Sequence, residues 1–579
     1  MFRKNEQHRQ QSFFSAEDLL PEKLQDRLLS SWAETFYQEV FCRFDETLFA
    51  PLYSQEASRP NVPVNVLVGL DTLKSGFGWS DQELHEQVCF NLQVRHALGL
   101  HDLRSEIFTL RTLYNFRHRV REYAQETGIN LIQKVFEQVT DAQLEAVALA
   151  TGWQRMDSTQ VLSNLAQMTR LELLVAVLQA VHKQLTECAQ ERWAQRWAQR
   201  WAQYLEGRPH QVCYKIPTAE IEDHLVTIGQ ELCAVEAELA QQAPESEVLA
   251  LIRRVLKEQY EQEPDGAVTL RPPEEVSAGS LQSPHDLDAT YRVKGGEKYR
   301  GGYVANLSET ADPKNPIQLI ADVQVEPNRT DDATLLEQSL DDQAAREIEV
   351  NKVTTDGGYT GPKGEAACEK HDVALRATRM RGGRSASDRW GWERYTWEVR
   401  DEGTPVGVTC PKGCKVALLP GRAEGRFIAR FDAERCAACP FFRQTCGVQD
   451  RTRVGPTFYV ERRTIQAAQR RQQLHPEDTP IRVLVESTVR SLKRAFPGSK
   501  LPVRGLIRAR MMLYPAALMV NLRRLHRYLT TKVEEATQEF ASSLSSLKKA
   551  LCRRLKRIHH RFSVFLPVDD TRQAIVLPS

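Results

Sequence analysis

Three acidic residues stand in contexts that could carry a carboxylate to the end of a structural element. Asp157 lies in the stretch Gly152-Trp153-Gln154-Arg155-Met156-Asp157-Ser158-Thr159. Asp356 opens Asp356-Gly357-Gly358-Tyr359, directly after the strand-like run Glu349 to Thr355. Glu486 sits in the amphipathic segment Ile481 to Phe496, where Val485, Val489, Leu492 and Phe496 make an apolar stripe. Three carboxylates converging from separate elements can hold two Mg²⁺ ions about 3.5–4 Å apart, with Mn²⁺ as a substitute. One ion would activate water or a 3′-hydroxyl and the other would stabilise the leaving oxygen of a phosphodiester. With 76 acidic residues in the chain, the acids alone say little, and their contexts carry the argument.

The surroundings of Glu486 are cationic. Arg482, Glu486, Arg490 and Lys493 follow at intervals of 4, 4 and 3 residues on a face adjacent to the stripe. Between Ile481 and Arg527 there are eleven Lys or Arg against one acid, Glu486; between Ala541 and Arg561 there are seven against none. Such runs suit phosphate binding, although one run alone reads more readily as a solvated helix face. The overall charge of +1 conceals this segregation.

A second constellation is thiol-rich. Five of the twelve cysteines crowd together as Cys410-x3-Cys414, then Cys436-x2-Cys439-x6-Cys446. Tetrahedral Zn²⁺ needs four thiolates brought close by short turns, which Pro411, Gly413, Pro440 and Gly447 can supply. The alternative is a small apolar cluster of free thiols.

These groups need elements to hold them. After an N-terminal arm, 1–60, residues 61–140 read as a helical DNA-binding domain, with Ser80 and Glu83 forming a capping box. Its last helix, from about Thr109 to Tyr123, gathers Arg111, Asn115, His118 and Arg119 away from Leu110, Leu113 and Phe116, as a helix lying in a DNA groove would. From about Asp141 the pattern turns toward strand, and 141–164 carries Asp157. Residues 165–285 read as a helical insertion. It contains the tandem RWAQ repeat at 192–203, whose Trp193, Trp197 and Trp201 recur every fourth residue as a packing stripe. Residues 286–380 return to strands: Tyr303–Leu307 and Gln318–Val325 alternate as a hairpin, a helix covers 333–347, and Lys294-Gly295-Gly296 reads as a turn. The cysteine-rich insertion spans 381–460, the Glu486 helix lies in 461–530, and 531–579 is a basic tail. The fold class expected is multi-domain α/β with a mixed sheet flanked by helices.

The strand with Asp-Ser-Thr, the strand ending in Asp-Gly-Gly-Tyr, and the helix Arg482-x3-Glu486-x6-Lys493 resemble the three acidic blocks of bacterial insertion-sequence DDE transposases. Those enzymes have a ribonuclease-H-like catalytic domain, and the last block is similar to their Y-R-E-K signature. Thr479 stands where the tyrosine is expected. The resemblance implies Asp157, Asp356 and Glu486 as catalytic metal ligands, with Arg482, Arg490, Lys493, Arg111 and Arg119 on DNA. It implies binding of terminal inverted repeats, cleavage at the element's ends, strand transfer into target DNA, and a dimer or larger assembly. Related transposases carry a cysteine insert matching Cys410, Cys436, Cys439 and Cys446, which makes Cys414 the spare ligand.

A chain of 579 residues exceeds one hydrophobic core, and 41% hydrophobic with 26% charged residues excludes wholesale disorder. No stretch is long and apolar enough for a membrane span, and the expected location is the cytoplasm, on the nucleoid when DNA is bound. Two other functions compete: a transposase-derived DNA-binding protein that no longer cuts, and a zinc-dependent interaction protein. The second leaves the face of Arg482, Glu486 and Lys493 unexplained.

Overall fold

The computed structural model describes residues 1–563 apart from 10–14, 16, 55, 57–59, 104–106, 188–190, 263–267, 295, 381–389, 401–403, 443, 452 and 453. It divides into two units, Met1–Leu522 and Arg523–Ser579.

The first unit opens with α1 (Glu22–Leu29) and α2 (Trp32–Phe36), followed by α3 (Val64–Phe77), α4 (Asp81–Phe90), α5 (Leu92–Ala97), α6 (Leu110–Thr127) and α7 (Leu131–Ala146). Ser80 and Glu83 form the reciprocal capping box that starts α4. On α6, Leu113, Phe116 and Val120 are buried while Arg111, Asn115, His118 and Arg119 are exposed. The shift toward strand expected near Asp141 comes later. Burial continues at helical spacing through Val139, Gln143 and Leu144, so α7 runs on to Ala146 and the strand begins only at Trp153.

Strand β1 (Trp153–Leu162) carries Asp157. The chain then leaves the sheet through α8 (Arg170–Glu187), α9 (Glu191–Arg200), α10 (Ala202–Leu205), α11 (Pro209–Tyr214), α12 (Ile221–Gln242), α13 (Glu247–Gln259) and the short pair β2 (Tyr260–Gln262) and β3 (Val268–Leu270). This block has its own core, in which Trp197 and Trp201 are fully buried, as a packing stripe requires; the side chain of Trp193 lies outside the described residues.

The chain returns to the sheet with β4 (Thr290–Lys294), β5 (Glu297–Thr310) and β6 (Ile320–Pro327), then α14 (Asp332–Ala345), β7 (Lys352–Thr355), α15 (Pro362–Lys370) and β8 (Ala374–Ala377). β5 is central: β1 pairs along one edge, β6 and β4 along the other, all antiparallel. β1 then pairs parallel with β7, and β7 with β8. The result is a mixed sheet with helices against it, consistent with the expected ribonuclease-H-like layout. β5 does not alternate. Gly301 to Thr310 are all buried, because the strand is covered on both faces.

A second sheet holds the cysteine region: β9 (Thr396–Val399), β10 (Pro405–Thr409), β11 (Lys415–Pro420), β12 (Arg426–Arg430), β13 (Gln449–Arg451) and β14 (Gly455–Glu461), with α16 (Ala433–Ala437) between β12 and β13. It is antiparallel throughout, around a core of Tyr395, Trp397, Val408 and Phe458. Then come α17 (Arg462–Gln472), α18 (Thr479–Lys493) and α19 (Leu506–Ser563). Leu513, Ala517 and Leu522 of α19 are buried in the first unit. In the second unit residues 529–540 are exposed, and most side chains of the basic run 541–561 lie outside the described residues. Among the described residues no helix is long and apolar enough to cross a membrane.

Candidate active site

The register of the parallel pair decides where two of the acids fall. Trp153, Gln154 and Arg155 of β1 stand beside Lys352, Val353 and Thr354 of β7. Two residues further along both strands, Asp157 falls level with Asp356, at the carboxyl end of β7 where α/β sheets place their sites. Asp356 is held there by its own turn, its Oδ1 accepting from the Gly358 amide at 2.7 Å. A Cβ at 358 would collide with the Asp332 carboxylate and meet Asp356 Oδ1 at 2.9 Å, so a side chain there would have to displace these carboxylates.

Asp157 is pushed up to about 6, first by burial and then by the like charge of Asp356, against the pull of Lys294 and Arg482. Tyr359 is fully buried beside the same acids, with its hydroxyl donating to Asn306 Oδ1 at 2.6 Å. Its pKa is raised well above the ordinary value by burial and then by Asp332, Asp157 and Asp356. A pair of neighbouring carboxylates, one of them raised by burial and then by the charge of the other, is a donor set that fits a hard divalent cation.

Glu486 is reached through its helix. α18 crosses β1, the strand that carries Arg155 and Asp157 on one face. Arg155 pairs with the cross-strand Glu309 (Nε to Oε1, 2.5 Å), and Glu309 Oε2 accepts from Thr488 Oγ1 on α18 at 2.7 Å. Arg155 also donates to the Ile481 carbonyl at 3.4 Å. All three side chains of this latch are buried. Val485, Leu492 and Phe496 pack inward as the stripe requires.

Arg482 departs from its expected place on the open face. It is 5% exposed, because the same turn of α18 that buries Val485 presses it under the helix, and its Nη2 donates to Glu486 Oε1 at 2.7 Å. Glu486 itself is exposed. Lys493 is half-buried, with its pKa lowered by burial and by Lys294, while Asp157 acts in the opposite sense. Arg490 is exposed, and Thr479 begins the helix with its hydroxyl on the Pro476 carbonyl at 2.7 Å. Asp157 and Asp356 are therefore level with each other at one end of the parallel pair, and Glu486 is exposed and bonded to Arg482. The three do not bring oxygens within 4.8 Å of one another.

Sequence reasoning missed two residues at this site. Lys294, read as part of a turn, donates to the Ser158 carbonyl and hydroxyl at 3.1 and 3.0 Å. Asp332, buried in the first turn of α14, accepts from Ser158 Oγ at 2.7 Å. Its only local signal was the Asp331-Asp332 pair at a helix start.

The five cysteines line one cavity of about 470 Å³ at the end of the second sheet. The Cys410–Cys414 turn closes with the Cys414 amide donating to Cys410 Sγ at 3.4 Å, and Gly413 adopts φ +83°. Cys436 is pushed up to about 11 by burial, then by Cys414, Cys446, Cys410 and Cys439 in decreasing order. Cys414 lines the same cavity as the other four.

Comparison with known families gives two matches. A model described as a transposase DDE domain matches residues 409–526, from the last residue of β10 through α18 and its Glu486 into α19. A model described as a transposase domain (DUF772) matches 21–119, which takes in α1 to α5 and the Arg111 and Arg119 face of α6. Together these matches indicate an insertion-sequence DDE transposase. No curated protein and no solved structure matches the chain.

Proposed function

We propose that the chain binds the terminal inverted repeats of an insertion sequence, cleaves the element's ends and joins them to target DNA, working as a dimer or larger assembly. The observation that carries this reading is the side-by-side placement of Asp157 and Asp356 under a helix that bears Glu486. Asp157, Asp356 and Glu486 would hold Mg²⁺, which supplies charge stabilisation at the reacting phosphate. The chain's own cations have separate work. Lys294 and Lys493 lie near Asp157 and would bind the scissile phosphate. Arg482, buried against Glu486, orients that carboxylate rather than DNA. Mg²⁺-dependent nicking of a duplex carrying the element's ends tests the reading. Binding without nicking would leave a DNA-binding protein that no longer cuts.

Four thiolates drawn from Cys410, Cys414, Cys436, Cys439 and Cys446 would hold one structural Zn²⁺, closing the end of the second sheet with no open position for water. Purified protein free of thiolate-bound zinc, with all five thiols titrating readily in the folded state, would refute this.

A further inference from the structure

Outside both sites, a third cluster of metal-ligating side chains lies in the N-terminal helical module. Among the described residues, only Glu17, His96 and His101 bring three possible ligand atoms within 4.8 Å of one another. Glu17 Oε1 contacts the Nδ1 atoms of both imidazoles, His96 closely and His101 at 2.8 Å. Both are direct contacts at hydrogen-bond length, so an ion would enter by taking the place of the Nδ1 protons and spreading the three groups apart. His96 is 4% exposed, and its other nitrogen, Nε2, lies 2.5 Å from Glu34 Oε2 on α2. A metal-bound histidine is held in this way when its far N–H donates to a carboxylate, which fixes the tautomer and leaves the near lone pair for the ion.

The surroundings fit as well. Leu20, Leu28, Leu92 and Leu100 wall a space of about 10 Å³ beside the three ligands, about the room one water or ion needs. Arg95 on that wall is turned to backbone, donating to the Asp102 carbonyl at 2.7 Å. Tyr37 packs against both rings, 6.0 Å from His96 and 5.6 Å from His101 between centroids.

We propose that Glu17, His96 and His101 form a binding site for one divalent transition ion of the Zn²⁺ type, with solvent as a fourth ligand and Glu34 as the positioning residue for His96. Two imidazole nitrogens and one carboxylate oxygen select Zn²⁺ over Mg²⁺, which prefers oxygen alone. Binding displaces the Nδ1 protons, to solvent from a charged imidazole or to Nε2 in a neutral one, while the Nε2–H of His96 stays on the ring and donates to Glu34. The ion would pin the arm around Glu17 to α5 and to the loop after it. The inference does not rest on the transposase reading or on the thiolate site.

The test uses the full chain with Zn²⁺ as probe. Wild type should hold one more zinc per chain than His101→Ala, and Cys436→Ser should retain that ion. Glu34→Gln should keep the site but weaken it about 10–100-fold. Equal zinc content in wild type and a folded His101→Ala protein would overturn the proposal. Should the variant not fold, crystals of the wild-type chain saturated with Zn²⁺ decide the matter. Anomalous density between the three side chains supports the site, and its absence with the three still in mutual contact removes it.

Discussion

Helices α6 and α18 are both amphipathic and both carry arginines, yet they divide their charge differently between the inside and the surface. α6 turns one cation inward: Arg117 is bonded to Asp71 and Asp81, through Nε at 2.8 Å and Nη1 at 2.7 Å, and this ties α6 to α3 and α4. Its Arg111 and Arg119 remain on the surface, with Arg119 lying 5.3 Å over the ring of Tyr53. α18 directs Arg482 and Lys493 toward Asp157 and exposes only Arg490 of the three. A cation locked in a carboxylate pair sets geometry, and one left in water is available to a polyanion. Sequence spacing looks alike in the two helices, and only burial separates the roles.

The widest separation between the helices should appear at the acids that α18 serves. Asp157→Asn, Asp356→Asn and Glu486→Gln should each lower Mg²⁺-dependent cleavage by on the order of 10³-fold or more and leave DNA binding largely intact. A nicking assay with a binding control reads both quantities. Near-normal cleavage by any one variant would take that residue out of the site.

The latch beneath α18 comes next in size. Glu309→Gln leaves the buried Arg155 without its counter-charge and should destabilise the protein by about 3–5 kcal/mol in denaturant unfolding. Thr488→Val keeps the shape but removes the hydrogen bond to Glu309, at a cost of about 1.5–3 kcal/mol. If α18 depends on this latch for its position, cleavage should fall in Thr488→Val while DNA affinity stays unchanged. Full cleavage in a Thr488→Val protein with the expected loss of stability would show that the latch supports the fold only.

What was readable in the sequence follows the range of the contacts. The Ser80–Glu83 capping box, the apolar stripe of α18 and the Asp356 turn are local, and each is visible from neighbours a few residues apart. Asp332 and Lys294 were invisible because they meet Ser158 across 174 and 136 residues of chain, through a sheet register that no spacing rule encodes. The burial of Arg482 was misjudged for a related reason. Helical periodicity places it beside the apolar stripe, but only the position of β1 beneath the helix decides that it is covered. The Glu17, His96 and His101 cluster likewise joins an arm to a helix and a loop, at separations of 79 and 84 residues.

The smallest expected effects test the comparison itself. If the outward cations of α6 read base edges of the terminal repeat, changing Arg111 or Arg119 to Ala should erode preference for repeat over random DNA by about 1–3 kcal/mol for each base-reading contact. Lys493, half-buried beside Asp157, and Arg490 on the same helix should instead hold backbone phosphates near the cut. Their loss should weaken binding of every sequence alike and flatten the dependence of log affinity on log salt by roughly one unit per contact. Competition binding at two salt concentrations measures both quantities in one experiment. Should the Arg490 and Lys493 changes alter sequence preference while the Arg111 and Arg119 changes do not, recognition belongs to α18. Burial would then be the wrong guide to which helix reads the DNA.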